Sequence, residues 1–342
     1  MTDSLPKGYQ MEELLRRYFI LGGYFTVRSV PFVYEGFDIT DIDLWLYERP
    51  SSVSRHRIIV DAKNKSTPKA IERIFWIKGL QQALGVEQAI VATTDKRLAV
   101  SDFGREQNVL ILDGSFLTKL QKSETFEARL TEEQFVDRLR SYSPVKRGGD
   151  WNSRFQALKH PLARDLGYNA INAWVNEARY FAEESQIVTT HKEIAMRVLY
   201  VILSYIAISF DFVMKDLAFA ESSTKLAALN EGLRYGSQGA AGTKQLIQLT
   251  TELIQQYAPE QSVLGPKIKE RFEKELEAIP AKALAEHFAK QSVSQELFSV
   301  AKELEATAYN ATFIPSQSLS PSAKGMLGVI LDFWEIGRKN FL

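Results

Sequence analysis

Two short segments near the amino terminus contain the residue types needed to hydrolyse a phosphodiester bond. ITDIDLWL contains Asp41 and Asp43, and IIVDAKNK contains Asp61 and Lys63. Carboxylates of this kind bind Mg²⁺ or Mn²⁺, which neutralises and polarises a phosphate and lowers the pKa of a bound water. An ammonium group beside the metal can orient or help deprotonate that water, or stabilise charge in the transition state. The residue types therefore indicate metal-dependent hydrolysis.

Both segments are predicted to be neighbouring β-strands. Side chains two positions apart on a strand point to the same face, so Asp41 lies with Asp43, and Asp61 lies with Lys63. If the strands pair through the turn RPSSVSRH, Asp43 and Asp61 converge on one metal ion. The backbone carbonyl of Ala62, between the acid and the lysine, can add a further oxygen ligand.

The context of these triplets matters, because Asp–x–Lys is common by chance and Asp–x–Asp usually marks a solvated strand end. Here the second strand is otherwise apolar, and Ile58, Val60 and Ala62 are predicted to face a helix. A charge pair inside an apolar strand costs free energy unless it serves a metal or a partner. This context favours a site over a solvated strand end.

The surrounding residues predict an α/β domain. A helix ends at Gly22–Gly23, a strand covers YFTVRSVPFVY, and a helix covers about 68–84. The segments QAIVATT and NVLILDG are predicted strands with a helix expected between them, and FLTKLQ begins a closing helix. The order helix, three strands, helix, strand, helix, strand predicts a sheet with helices packed on it.

The second half of the chain is predicted to be helical throughout. We place the domain boundary in YSPVKRGGD (142–150), which gives an α/β domain over 1–145 and an all-helical accessory domain over 150–342. The predicted helices cover about 166–186, 191–219, 222–234, 241–257, 265–278, 280–290, 292–308 and 322–338.

Composition limits the classes of protein and of site. The 342 residues are 45% hydrophobic and 25% charged, with a formal net charge of zero, which argues against nucleic-acid binding by bulk charge alone. The absence of cysteine excludes disulfides and zinc–thiolate sites, and four histidines argue against a multi-histidine zinc site. Carboxylate ligands for Mg²⁺ or Mn²⁺ remain as the prediction.

We expect a cytoplasmic protein without a membrane segment. The amino terminus lacks the apolar stretch of a signal peptide. The apolar run Val198 to Phe210 has thirteen residues, whereas a membrane span needs about 20. It is predicted to form a central helix buried by its neighbours.

The acidic segments resemble the PD-(D/E)xK nuclease superfamily, which has the restriction-endonuclease-like fold. Asp43 matches the first-strand acid of that pattern, and Asp61 and Lys63 match its (D/E)-x-K, although no proline precedes Asp43. The order GGYFTVRSVPF, TDIDLWL, VDAK, AIVATTD and LILDGSFLTKL, within about 10–122, most resembles the Mrr-type restriction endonuclease branch. This resemblance implies a central mixed sheet flanked by helices and a metal-dependent DNA endonuclease of restriction or phage-defence character.

The resemblance also implies a glutamate on the first helix that contributes to the metal site. Glu12 and Glu13 are both candidates, and Glu12 is preferred because it shares a helix face with Leu15 and Phe19. Weaker candidates are Asp41 as a second carboxylate or orienting group, Gln81 or Gln82 as orienting groups, and Lys65, Lys69, Arg73 and Lys78 as phosphate contacts. For each of these lysines and for Arg73, simple solvation of a helix face is the default expectation.

Other functions remain open from the sequence. The chain could be a catalytically inactive, nuclease-like scaffold that binds nucleic acid or a partner subunit, although the retained acids and lysine argue against it. The nuclease could also act on RNA or branched DNA, since nothing in the sequence distinguishes 2′-hydroxyl recognition. The expected partner is DNA, with a homodimer or a partner subunit possible through the helical domain.

Overall fold

The computed structural model describes residues 6–65, 67–122, 128–141, 150–187, 191–257 and 264–341. The chain forms two compact units. The first comprises Met1–Asp165 together with Tyr309–Thr312, and the second comprises Leu166–Ala308 together with Phe313–Leu342.

The first unit is α/β, as predicted. Its elements are α1 (Lys7–Leu21), β1 (Phe25–Tyr34), β2 (Phe37–Glu48), β3 (His56–Lys63), α2 (Ala70–Leu84), β4 (Gln88–Thr93), α3 (Leu98–Glu106), β5 (Leu110–Leu112), α4 (Gly114–Lys122), α5 (Glu132–Arg140), α6 (Trp151–Ala157) and α7 (His160–Arg164). The strands form one sheet in the order β1-β2-β3-β4-β5. β1, β2 and β3 pair antiparallel, whereas β3, β4 and β5 pair parallel. The expectation of a mixed sheet flanked by helices is confirmed.

Local backbone chemistry sets the ends of these elements. Glu35 and Gly36, with φ of 47° and 85°, form the tight turn between β1 and β2. Gly85, with φ of 62°, ends α2 in the left-handed conformation that glycine adopts without a steric penalty. Pro31 lies in β1, an edge strand, where a missing backbone donor is tolerated.

One face of the sheet is covered by α1 and α4. Alternate residues of the central strands point to this face because side chains alternate along a strand. The apolar cluster they form comprises Met11, Leu15, Phe19, Leu44, Leu46, Ile58, Val60, Ala62, Ile90, Ala92, Leu112 and Leu117. The predicted orientation of Ile58, Val60 and Ala62 toward a helix is therefore confirmed, and the acids of the same strands face the other side.

The opposite face of the sheet contacts α2. This helix buries Ile74 and Ile77, and the strand residues Trp45, Ile59 and Val91 are fully buried. Tertiary contacts join α2 to β3 and β4. The charged ends of β2 and β3 therefore lie on the face that α2 helps to cover.

The boundary between the units lies further along the chain than predicted. It falls between Asp165 and Leu166, whereas the prediction placed it in 142–150, most of which lies outside the described residues. α6 and α7 belong to the first unit because the Phe155 ring stacks on Phe135 of α5, with ring centroids 5.0 Å apart. A composition break therefore did not mark the end of the folded unit.

The second unit is helical throughout its described residues. Its helices are α8 (Tyr168–Ile187), α9 (Lys192–Met214), α10 (Ser222–Tyr235), α11 (Gly239–Tyr257), α12 (Leu264–Ala278), α13 (Ala281–Phe288), α14 (Gln291–Tyr309) and α15 (Pro321–Phe333), with short 3₁₀ turns at Gly236–Gln238, Ser316–Ser318 and Arg338–Asn340. Each of the eight predicted helices is present. The last residue of α14, Tyr309, packs in the first unit.

The apolar run Val198 to Phe210 lies inside α9. By length and composition this helix could cross a membrane, with a mean hydropathy of 1.7 over its most apolar window. Of that window, 94% is buried inside the protein. The prediction of a buried central helix is confirmed, because neighbouring helices cover the apolar side chains.

Candidate functional site

The register of β2 and β3 brings two carboxylates opposite each other. The last paired residues at this end are Leu44 and Val60, so the next positions on the two strands are Asp43 and Asp61. Their side chains are largely buried, with exposed fractions of 14% and 9%. The period of two and the hairpin register therefore bring together the two acids that the sequence singled out.

Lys63 completes this cluster, which we call the acid–lysine site (Asp43, Asp61 and Lys63). Its Nζ lies 3.0 Å from Oδ2 of Asp43 and 3.7 Å from Oδ1 of Asp61. The side chain of Lys63 is 34% exposed, so solvent reaches the site beside the ammonium group.

Ala62, the fourth predicted member, contributes through its backbone. Its N–H donates a hydrogen bond of 2.7 Å to Oδ2 of Asp43, in place of a bond to the β2 backbone. In an antiparallel pair a residue directs its N–H and C=O toward the same neighbouring strand. The Ala62 carbonyl is therefore directed to the side on which Asp43 lies.

Arg73 of α2 reaches Asp61, which the sequence analysis did not predict. Its Nε donates a 2.8 Å hydrogen bond to Oδ2 of Asp61, and its Nη2 contacts Oδ1. The default expectation of a solvated Arg73 is therefore wrong. Helical periodicity could have revealed it, since Arg73 lies one turn before the buried Ile77 and so on the side facing the sheet.

The two candidate glutamates of α1 have different surroundings. Oε2 of Glu12 accepts a 2.7 Å hydrogen bond from Arg28, and Glu12 interacts electrostatically with Asp43 and Lys63. Glu13 instead contacts Arg28 and Arg16 and accepts the backbone N–H of Glu132 at 3.0 Å. Glu12 is therefore influenced by the charges of the acid–lysine site, whereas Glu13 is paired with two arginines and the α5 backbone.

Two of these acids have a raised pKa. Burial raises the pKa of Asp43, and the charge of Asp61 adds to this, although Lys63 and the Ala62 N–H oppose it. Burial likewise raises the pKa of Glu12, with Asp43 adding to the effect and Arg28 opposing it. At both acids burial outweighs the neighbouring cations Lys63 and Arg28, so the charged form is disfavoured although cations lie close by.

The other sequence candidates lie outside the acid–lysine site. Asp41 is exposed and lies opposite Pro31 of β1, beyond the end of the β2–β3 pairing. Gln81, two turns beyond Arg73 on α2, donates to the carbonyl of Glu87 and accepts a hydrogen bond from Lys78. Gln81 and Lys78 therefore lie toward the carboxyl-terminal end of α2, away from Asp61.

The donor set fits a hard divalent cation with a partly aqueous shell. Mg²⁺ commonly uses one or two carboxylates and keeps several waters, and Asp43, Asp61 and the Ala62 carbonyl can supply protein oxygens. Within the described ranges, no three histidine or acidic side chains by themselves form a group close enough to hold a metal. Two strand carboxylates, a carbonyl and solvent would have to suffice, and Arg73 would have to release or share Asp61.

Lys65, Lys69 and Arg97 surround this end of the sheet. Lys69 pairs with Glu72 at 3.0 Å, and Arg97 with Asp95 at 2.6 Å.

A scan of family models, a search of curated proteins and a search of solved structures found no significant match to this chain.

Proposed function

We propose that this chain is a divalent-metal-dependent endonuclease that hydrolyses phosphodiester bonds in DNA. The observation that supports this most is the Lys63 ammonium, which lies 3.0 Å from Asp43 on the facing strand β2 and 3.7 Å from Asp61 on its own strand β3. The mixed sheet flanked by helices is compatible with the restriction-endonuclease-like fold implied by the sequence resemblance. A restriction or phage-defence role follows from that resemblance alone.

Each residue of the site has a proposed role. Asp43 and Asp61 bind the metal, assisted by the Ala62 carbonyl, while Lys63 positions and helps deprotonate the attacking water or stabilises charge on the phosphate. Glu12 adds negative charge from α1. Bound Mg²⁺ or Mn²⁺ would supply charge neutralisation at the phosphate and a lowered pKa for water.

Arg73 has two possible positions in this scheme. Without a metal its guanidinium neutralises Asp61, which would otherwise be a poorly compensated buried carboxylate. With a metal on Asp61, the same guanidinium is free to contact a phosphate oxygen, for which its planar, bidentate geometry is suited. Its side chain is 29% exposed, so it has room to move.

The Arg73–Asp61 pair also favours a second candidate function. If Arg73 holds Asp61 permanently, the site binds no metal and the chain is a nuclease-like nucleic-acid-binding or scaffold subunit. Calorimetric titration with Mg²⁺ separates the two functions, since the enzyme should bind the ion and Asp61→Asn should not.

Cleavage of supercoiled plasmid in Mg²⁺ or Mn²⁺ tests the proposed activity. We expect nicked or linear product from the wild type, and a rate lower by about 10²–10⁴-fold in Lys63→Met, because a positioned proton-transfer group contributes about that much. Asp61→Asn should be at least as severely impaired, since it removes a metal ligand.

Matched controls distinguish loss of chemistry from loss of folding. Asp38→Asn changes an exposed acid of the same strand β2, and Lys119→Met changes an exposed lysine of α4. Both controls should cut at the wild-type rate. Equal cleavage by Asp61→Asn and wild type would refute the proposal, as would absence of both cleavage and Mg²⁺ binding in a folded wild-type sample.

A further inference from the structure

The outward side of α2 is apolar, which is unusual for a surface helix. Such a helix normally turns polar residues to solvent. Here Ile71, Phe75 and Trp76 are exposed, with Phe75 61% and Trp76 44% accessible. Within α2, whose residues are all described, Glu72 is the only charged residue at an exposed position. An exposed apolar surface of this kind marks an interaction site.

The apolar surface extends onto α3. The Phe75 ring contacts Phe103, with centroids 5.3 Å apart, and Leu98 in the first turn of α3 is 73% exposed. We call the surface formed by Ile71, Phe75, Trp76 and Leu98 the outer apolar face.

This face adjoins the acid–lysine site through Arg73. The Arg73 guanidinium carbon lies 5.8 Å from the centre of the Trp76 ring, while its nitrogens bind Asp61. A molecule that lies on Trp76 is therefore one side chain away from the carboxylates. The outer apolar face and the site can contact the same ligand.

Cations lie at the adjoining end of the sheet. Lys65 follows β3 and Lys96 follows β4, and both are exposed. The Thr94 hydroxyl donates a 2.6 Å hydrogen bond to the Lys65 carbonyl, which joins these two loops. Exposed Lys69 precedes α2. Lys69 pairs with Glu72 at 3.0 Å, but an ion pair this exposed is weak, so all three lysines can contact a phosphate backbone.

We propose that the outer apolar face stacks on unpaired bases of single-stranded DNA while Lys65, Lys69 and Lys96 contact its phosphates. Every base has a π-face that can stack on an aromatic ring. Exposed aromatic rings next to lysines that contact the phosphates therefore bind single strands without sequence preference. Paired bases are stacked on each other in a duplex and cannot offer those faces. The inference rests on the proposed function and adds a contact for an unpaired segment of its DNA substrate.

Tryptophan fluorescence reports directly on this contact. All five tryptophans lie among the described residues, and Trp76 is the only exposed one. An oligo(dT) of about 15 nucleotides, added in EDTA so that no cleavage occurs, should quench the wild-type protein. Trp76→Phe should bind labelled oligo(dT) with similar anisotropy-derived affinity but lose the quench. Trp334→Phe, in the helical unit, should retain it.

Affinity measurements test the energetics. Trp76→Ala and Phe75→Ala should each weaken oligo(dT) binding about fivefold or more, as expected for loss of one stacked base. Phe37→Ala removes a ring that is more exposed than Phe75 or Trp76, at the start of β2, and should leave affinity unchanged. A duplex of the same length should bind more weakly than oligo(dT) and should show no dependence on Trp76.

Three results would overturn the inference. These are an undiminished quench in Trp76→Phe, unchanged affinity in both alanine variants, or a change in the sedimentation of those variants that reveals a protein interface on this face. Failure of the nuclease proposal is separable, since Asp61→Asn should still be quenched by oligo(dT) in EDTA. Plasmid cleavage without any Trp76-dependent binding would retain the nuclease and refute only the single-strand contact.

Discussion

The first unit contains two clusters of buried charge whose acids have pKa shifts in opposite directions. One is the acid–lysine site. The other, which we call the Glu132 network, comprises Glu13, Arg16, Arg28, Glu132 and Lys159. Both lie near α1, and Arg28 contacts Glu13 of the network and also Glu12, which interacts with the acid–lysine site.

The central acid of the Glu132 network is paired through both of its carboxylate oxygens. Lys159, with no exposed side-chain surface, donates a 2.5 Å hydrogen bond to Oε1 of Glu132. The Tyr309 hydroxyl donates to Oε2 at 2.7 Å, and Arg16 lies 3.6 Å from the same oxygen. Burial alone would raise the pKa of Glu132, but Lys159 and Arg16 outweigh it and lower the pKa to about 2.

At the acid–lysine site, burial outweighs the neighbouring cations, so the pKa shifts are upward. Burial and neighbouring acids raise the pKa of Asp43 and of Glu12, even with Lys63 and Arg28 nearby. In the Glu132 network the neighbouring cations outweigh burial, whereas at the acid–lysine site burial outweighs the neighbouring cations. The direction of the pKa shift therefore separates the two clusters where residue type and burial do not.

The largest expected effect is on the Glu132 network. Glu132→Gln leaves Lys159 buried without a counter-ion, which should lower the free energy of unfolding by about 3–5 kcal/mol. Chemical denaturation at pH 7 measures this. Since the Glu132 pKa falls from 4.5 to about 2 on folding, its ionic contribution is complete above pH 4.5 and is lost toward pH 2. The difference in free energy of unfolding between Glu132→Gln and wild type should therefore narrow between pH 4.5 and pH 2. A constant difference would contradict the pairing.

The second effect concerns the response to metal. Mg²⁺ that binds the folded state should stabilise the wild type by about 2.7 kcal/mol when the free ion is at 100 times its dissociation constant. Thermal unfolding with and without Mg²⁺ measures the shift. Asp61→Asn should lose the response, whereas Glu132→Gln should keep it despite its lower starting stability. Equal responses in wild type and Asp61→Asn would remove the contrast between the clusters.

The smallest expected effect is that of Asp43→Asn, which should not lower the free energy of unfolding as Glu132→Gln does. Asp43→Asn removes a buried charge whose raised pKa indicates that folding disfavours it, yet keeps an oxygen acceptor for the Ala62 N–H. We expect the free energy of unfolding in EDTA at pH 7 to stay unchanged or rise by about 1 kcal/mol, together with loss of Mg²⁺ binding. A loss of 2 kcal/mol or more would mean that Asp43 is structural.

Much of the fold could be predicted because it depends on local patterns. Alternation along β2 and β3 assigned Asp43, Asp61 and Lys63 to one side and Val60 to the other, and the hairpin register then brought the acids together. The helices of the second unit followed from apolar periodicity in the same way.

The missed features all depend on contacts between residues distant in the chain. The Leu130 N–H donates to the Tyr309 carbonyl at 2.7 Å, so a short segment that interrupts the sequence of the helical unit packs in the first unit. α6 and α7 stay with that unit through Phe155 and Lys159, beyond the composition break that suggested a boundary. No local pattern encodes such pairings.

The sequence by itself determined which residues share a strand face and where helices and turns fall, because these depend on backbone periodicity and on residues such as Gly36 and Gly85. Tertiary structure alone decided that Arg73 binds Asp61 and that Glu13 joins the Glu132 network while Glu12 interacts with Asp43. It also decided the direction in which the pKa of each buried acid shifts, since this depends on burial and on distances between elements that only packing sets.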